Sequence, residues 1–188
     1  VYNHTSEAGN GNKSVFDKIV PGYYYRLDDN GKHQNSTCCP DTASEHKMME
    51  KLIADTLKIW AKYYKIDGFR FDLMGHHTTE NMKKIRTTLD SLDPILDGVD
   101  GKKIYIYGEG WKFGSLTNIY PKLAMNQDNA YGLGVGTFND RIRDSVRGGN
   151  FSHDTKSDQG FATGLYYDFN GNFENTETSR NLQDQKKN

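Results

Sequence analysis

Gly68-Phe69-Arg70-Phe71-Asp72 and Ile104-Tyr105-Ile106-Tyr107-Gly108-Glu109 are the two stretches on which the fold of this chain turns. Each reads as a buried strand that closes on a carboxylate. Side chains alternate across a strand, so Arg70 and Asp72 share one face while Phe69 and Phe71 take the other. By the same count Tyr105, Tyr107 and Glu109 lie together, opposite Ile104 and Ile106. Between the two runs, Thr78 to Leu92 carries Met82, Ile85, Leu89 and Leu92 at the spacing of one helix face. Strand, helix, strand is a βαβ unit. Its strands run parallel and deliver both carboxylates to the C-terminal end of the sheet.

Upstream, Met49, Leu52, Ile53, Leu57, Trp60 and Tyr64 keep helical spacing and read as a core-facing stripe. Thr42 and Glu45 stand where a capping box would open that helix. Lys65 to Gly68 then turns the chain into the first central strand. Downstream, Val135 to Phe138 reads as a further short strand. Asn139 or Asp140 would cap a short helix through Ile142 and Val146, ended by Gly148-Gly149. Val15 to Arg26, broken by Pro21-Gly22, reads as loop without a regular element, and residues 28–42 as loop again. The irregular section from Gly110 to Leu133 is long enough to expect a function for it. From about residue 170 the chain is polar, with little apolar material to bury, and is expected to form a tail.

The 188 residues carry a formal charge of −1, with 24 Lys and Arg against 25 Asp and Glu, so nothing marks a nucleic-acid surface. No apolar stretch approaches membrane-spanning length. The chain opens at Val1 and reads as an internal piece of something larger, so it sets no compartment. Cys38 and Cys39 are adjacent, with Cα atoms about 3.8 Å apart, shorter than ordinary disulfide geometry. Reduced structural thiols in a loop are the expectation, a vicinal disulfide the rarer alternative.

Retaining glycosidases use one carboxylate as nucleophile and one carboxylic acid as proton donor, about 5 to 5.5 Å apart. Neighbouring strands lie about 4.8 Å apart, so Asp72 and Glu109 suit that chemistry. Arg70 would hold Asp72 ionised, Glu109 would have to stay protonated, and Trp111 offers a flat apolar face for a sugar ring. The plainer alternative is a structural Arg70–Asp72 ion pair with Glu109 as a surface acid.

The literal residues narrow the choice. Tyr2-Asn3-His4, Gly68 to Gly75 and Tyr107-Gly108-Glu109-Gly110-Trp111 resemble three ordered regions of the α-amylase superfamily of glycoside hydrolases. Within it they are most similar to the type I pullulanase family of debranching enzymes. Val20 to Tyr24, Ser36 to Cys39, Glu45 to Met49 and Gly136 to Arg141 extend the resemblance from residue 1 to about 168. It implies an α/β fold, a partial (β/α)8 TIM barrel supplying roughly the third to sixth strands and their helices, with residues 1–188 a fragment of the catalytic domain. It implies a branched α-glucan as the partner, cleaved at α-1,6 linkages.

By the same resemblance Asp72 is the nucleophile, Glu109 the general acid/base and Arg70 the nucleophile's partner. His4 and His77 contact sugar, and Trp111 stacks on the branch side. Some superfamily members bind calcium at the position of Asn3, but neither a metal nor a cofactor is expected here. The family's third carboxylate, an aspartate after a histidine late in the barrel, has no counterpart. His153-Asp154 comes too early, so the fragment alone is expected to be inactive. Rival readings are an α-1,4 amylase or an isoamylase, a non-catalytic glucan-binding protein, and a metallohydrolase using His4, His46, His76 and His77.

Overall fold

The computed structural model describes residues 2–149 and 157–166. His153-Asp154 and the polar stretch beyond residue 170 lie outside them. Three strands form among the described residues, where the barrel reading calls for about four: β1 (Gly68–Phe71), β2 (Tyr105–Gly108) and β3 (Gly136–Thr137). They make one parallel sheet in the order β1-β2-β3, with Phe71 opposite Gly108 and Gly108 opposite Thr137. The βαβ reading therefore holds, and Val135 to Phe138 contributes the third strand.

One face of the sheet is the core. Phe71, Ile104 and Ile106 are buried there against Met49, Ile53 and Leu57 of α2 (Lys47–Tyr64) and Met82, Ile85 and Leu89 of α3 (Thr79–Asp90). The α1 helix (Phe16–Ile19) is a single turn inside the segment expected to lack regular structure. Likewise α4 (Ser115–Ile119) interrupts the section expected to be irregular. Both are only four or five residues long, too short for helical periodicity to register.

The start of α2 departs from expectation. Thr42 and Glu45 form no capping box, and the helix begins after His46 without a side-chain cap. Both side chains are claimed by distant partners. The Thr42 hydroxyl donates to the Tyr2 carbonyl at 2.5 Å, and the Glu45 carboxylate takes two hydrogen bonds from Arg26 at 2.9 and 2.6 Å. The stripe is also narrower than expected. Trp60 and Tyr64 are 43% and 63% exposed, and Ala54 and Ala61 are buried in their place. Trp60 instead borders a groove with Tyr2, Ile66 and Phe69.

The α3 helix carries a true capping box. Thr78 accepts from the Asn81 backbone and Asn81 reciprocates, both at 3.0 Å. Among the described residues, no helix is long and apolar enough to cross a membrane.

The cysteines are not free thiols: Cys38 and Cys39 are joined as a vicinal disulfide with their Cα atoms 3.8 Å apart. Bonding between adjacent cysteines closes a ring within the dipeptide itself, so no second segment has to be brought near. The loop that carries them is held from both sides by Asp41. Its buried carboxylate accepts from the Ser36 hydroxyl and amide, and its amide donates to Gln34.

The described residues from Asn139 onward belong to a second unit, separate from the first. There α5 (Asp140–Arg147) is capped by the Asn139 side chain, which accepts from the Ile142 amide at 3.0 Å, and it ends at Gly148.

Candidate active site

The register of β1 and β2 makes the site. Because Phe71 faces Gly108, the next residue of each strand, Asp72 and Glu109, emerges side by side at the C-terminal edge. The approach depends on glycine: a Cβ on Gly108 would sit 2.1 Å from the Phe71 carbonyl oxygen. Backbone hydrogen bonds then knit the two exits together, Glu109 N to Phe71 O at 3.2 Å and Met74 N to Glu109 O at 2.8 Å. Between them Leu73 adopts a left-handed backbone (φ +40°). A residue with a branched side chain in that region costs on the order of 1 kcal/mol or more. The turn aims the Leu73 amide at the Glu109 carboxylate, which accepts from it at 3.0 Å.

Arg70 reaches the same edge, as alternation requires. One guanidinium nitrogen donates to Asp72 Oδ1 at 3.1 Å and the other to Glu109 Oε1 at 2.6 Å. A single cation therefore spans both carboxylates. Asp72 is held below the ordinary carboxylate range. Burial pushes it up, but the hydrogen bond from Asn3, the charge and hydrogen bond of Arg70, and a hydrogen bond with Glu109 together outweigh it.

Asn3 is the participant that reasoning from sequence missed. Fully buried, it donates through Nδ2 to Asp72 Oδ2 at 3.0 Å and to the Asp72 carbonyl at 3.3 Å. Nothing local signals this, because the partner lies 69 residues away.

The other candidates fall around this centre in different ways. His77 is 1% exposed, meets the edge of Phe71 at 5.5 Å between ring centroids, and walls the groove that Arg70 and Asp72 also line. Burial, reinforced by the charges of His76 and Arg26, pushes its pKa down to about 3, so it is neutral. His76 is wholly buried 3.8 Å from Asp41, and its pKa is lowered chiefly by burial. Of the two histidines only His77 borders the groove with Asp72.

His4 is half-buried, and its backbone pairs with Asp41. Trp111 is half-exposed. Its carbonyl and that of Phe113 pack on Gly75, where a Cβ would lie 2.6 and 2.4 Å from them, so the Trp111 segment is seated on the turn that follows Asp72. The four histidines of the metallohydrolase reading do not converge. His46 is spent on the Tyr23 carbonyl, and the one potential ligand cluster among the described residues is His4 with Cys38 and Cys39.

Comparison with known proteins shows what the chain as a whole is similar to. No family model matches the chain. It is 47% identical over 184 residues to pullulanase 1, chloroplastic, of Arabidopsis thaliana, a match covering 97% of this chain and 19% of that protein. Its fold is similar to the crystal structure of PulA from Klebsiella oxytoca, with a TM-score of 0.76 and 43% identity over 88% of this chain and 15% of that one. A maltotriose complex of PulA from Klebsiella pneumoniae is similar at a TM-score of 0.75 and 44% identity, over 88% of this chain and 17% of that one. The chain thus spans less than a fifth of the length of the first curated relatives it matches.

Proposed function

This chain is a homologue of the pullulanases, and from that relationship we propose that it is part of a retaining glycoside hydrolase cleaving α-1,6 branch linkages in pullulan, starch or glycogen-derived dextrins. One observation carries the reading: a single guanidinium spans two carboxylates at adjacent parallel strand ends.

In this reading an Asp72 carboxylate oxygen attacks the anomeric carbon. The bond from that carbon to the departing O6 breaks, and Glu109 gives its proton to the oxygen. Water then attacks the same carbon, Glu109 takes up a proton, and Asp72 is released. The depressed pKa of Asp72 suits a nucleophile that must be ionised. Glu109 has the opposite need, since it must carry the proton that it delivers, and Arg70 reaches it at 2.6 Å. His4 and His77 contact the sugar next to the cleaved bond, and Trp111 stacks on the branch side.

The same reading makes residues 1–188 a segment of one catalytic (β/α)8 barrel, roughly its third to sixth strands. The open parallel sheet with helices on one face supports this. Such a barrel takes about 250 residues, so further strands and the transition-state carboxylate come from the longer polypeptide. The segment alone is then inactive. In the longer polypeptide Asp72→Asn should lower turnover on the order of 10⁴-fold while α-glucan binding persists. Hydrolysis of pullulan at the parent rate would sink the assignment.

A further inference from the structure

The chemistry left over after this site is assigned sits beside it. His4 follows Asn3, whose amide holds Asp72, and His4 pairs through its backbone with Asp41. The Cys38–Cys39 disulfide lies in the loop leading to Asp41, and both sulfurs and a ring nitrogen of His4 fall within 4.8 Å of one another. Cys38 is exposed, while His4 and Cys39 are half-buried. The His4 Nδ1 atom is buried without a hydrogen-bond partner.

We propose that reduction of Cys38–Cys39 converts this corner into a binding site for one thiophilic divalent cation such as Zn²⁺, held by both thiolates and His4. A dithiol or phosphine reductant supplies two electrons, and two protons from solvent complete the thiols. Cation binding then releases those protons. The loop does not need the disulfide to stay in place. Ser36 and Gln34 hold it to Asp41, and the Thr5 amide bonds the Pro40 carbonyl at 3.2 Å.

Zinc takes sulfur at about 2.3 Å and nitrogen at about 2.0–2.1 Å in tetrahedral geometry, which sets neighbouring ligand atoms about 3.5–3.8 Å apart. Once the sulfur–sulfur bond is gone the two sulfurs separate to that spacing by side-chain rotation, and the His4 ring nitrogen already lies within 4.8 Å of them. Two thiolates and an imidazole select soft or borderline cations over calcium and magnesium. The fourth position stays open. Occupancy would remove His4 from any contact with sugar.

The test uses the complete polypeptide, reduced with a phosphine and freed of it, beside the untreated oxidised protein. Zn²⁺ alone is titrated against a chromophoric chelator. One ion per reduced chain is expected, bound about 100-fold more tightly than to the oxidised chain. Cys38→Ser and His4→Gln should each weaken it about 10-fold or more. Alkylation of the two thiols in the unmutated reduced protein should abolish binding, which guards against a variant that fails to fold. Equal affinity in reduced and oxidised protein, or binding that survives alkylation, would overturn the site. Full affinity in His4→Gln would remove histidine from it. These readouts require no turnover, so a parallel pullulan assay reports on the hydrolase reading separately.

Discussion

Replacing Asn3 by Ala should raise the pKa of Asp72 and carry the acid limb of the activity profile with it. The Asn3 side chain gives Asp72 a hydrogen bond at 3.0 Å from a fully buried position. A hydrogen bond to a charged group contributes about 1.5–3 kcal/mol. Asp72 keeps 28% of its side-chain exposure, so water screens part of the loss and about 1.5 kcal/mol is appropriate. That corresponds to about one pH unit. The lost contact favoured the ionised form, so the shift is upward.

The assay is kcat/KM against pH on a branched α-glucan in the longer polypeptide, where the limbs report free-enzyme groups. Asn3→Asp, which sets a second negative charge beside Asp72, should move the limb further in the same direction. The sign extends to stability. A depressed carboxylate adds stability above its unfolded pKa that is lost as pH falls. The wild-type advantage from this contact should thus be full at neutrality and vanish below the folded pKa of Asp72. An acid limb that stays put in both variants, with only a uniform loss of rate, would refute a direct hold on Asp72 and leave Asn3 a packing residue.

Three further expectations follow from the same geometry. Trp111→Ala should weaken branched substrates by a few-fold to about tenfold, the worth of one aromatic contact, and equal kinetics on branched and linear glucans would show that the ring faces elsewhere. Gly75→Ala drives a Cβ to within 2.4 Å of the Phe113 carbonyl, so it should cost about 1–3 kcal/mol in urea unfolding and impair turnover by displacing the Trp111 segment. An unchanged midpoint would show that the loop yields freely. Arg26 is 4% exposed and pairs with Glu45, whose pKa is depressed because that pairing outweighs the opposing effect of burial. Arg26→Met should therefore cost about 3–5 kcal/mol, and adding Glu45→Leu should recover most of it; a double variant as unstable as the single one would contradict the ion-pair account.

What could be read from the residues alone were the features whose cause is local. Alternation in Gly68 to Asp72 and Ile104 to Glu109 marked both strands, and the spacing of Met82, Ile85 and Leu89 marked α3. The Asn139-Asp140 pair marked the start of α5, with the choice of Asn139 as cap left to the structure, and the strand-helix-strand order brought Asp72 and Glu109 to one edge. The resemblance carried by those motifs also pointed to the pullulanases. What only the tertiary structure decided were choices among competing partners. Glu45 had a local use as a cap and a distant one with Arg26, and the distant ion pair prevailed. Asn3 found Asp72 across 69 residues, and Arg70 found Glu109 as well as Asp72. The physical reason is range. Periodicity and capping act within a few residues, whereas a polar side chain is satisfied by whichever donor or acceptor folding brings within about 3 Å.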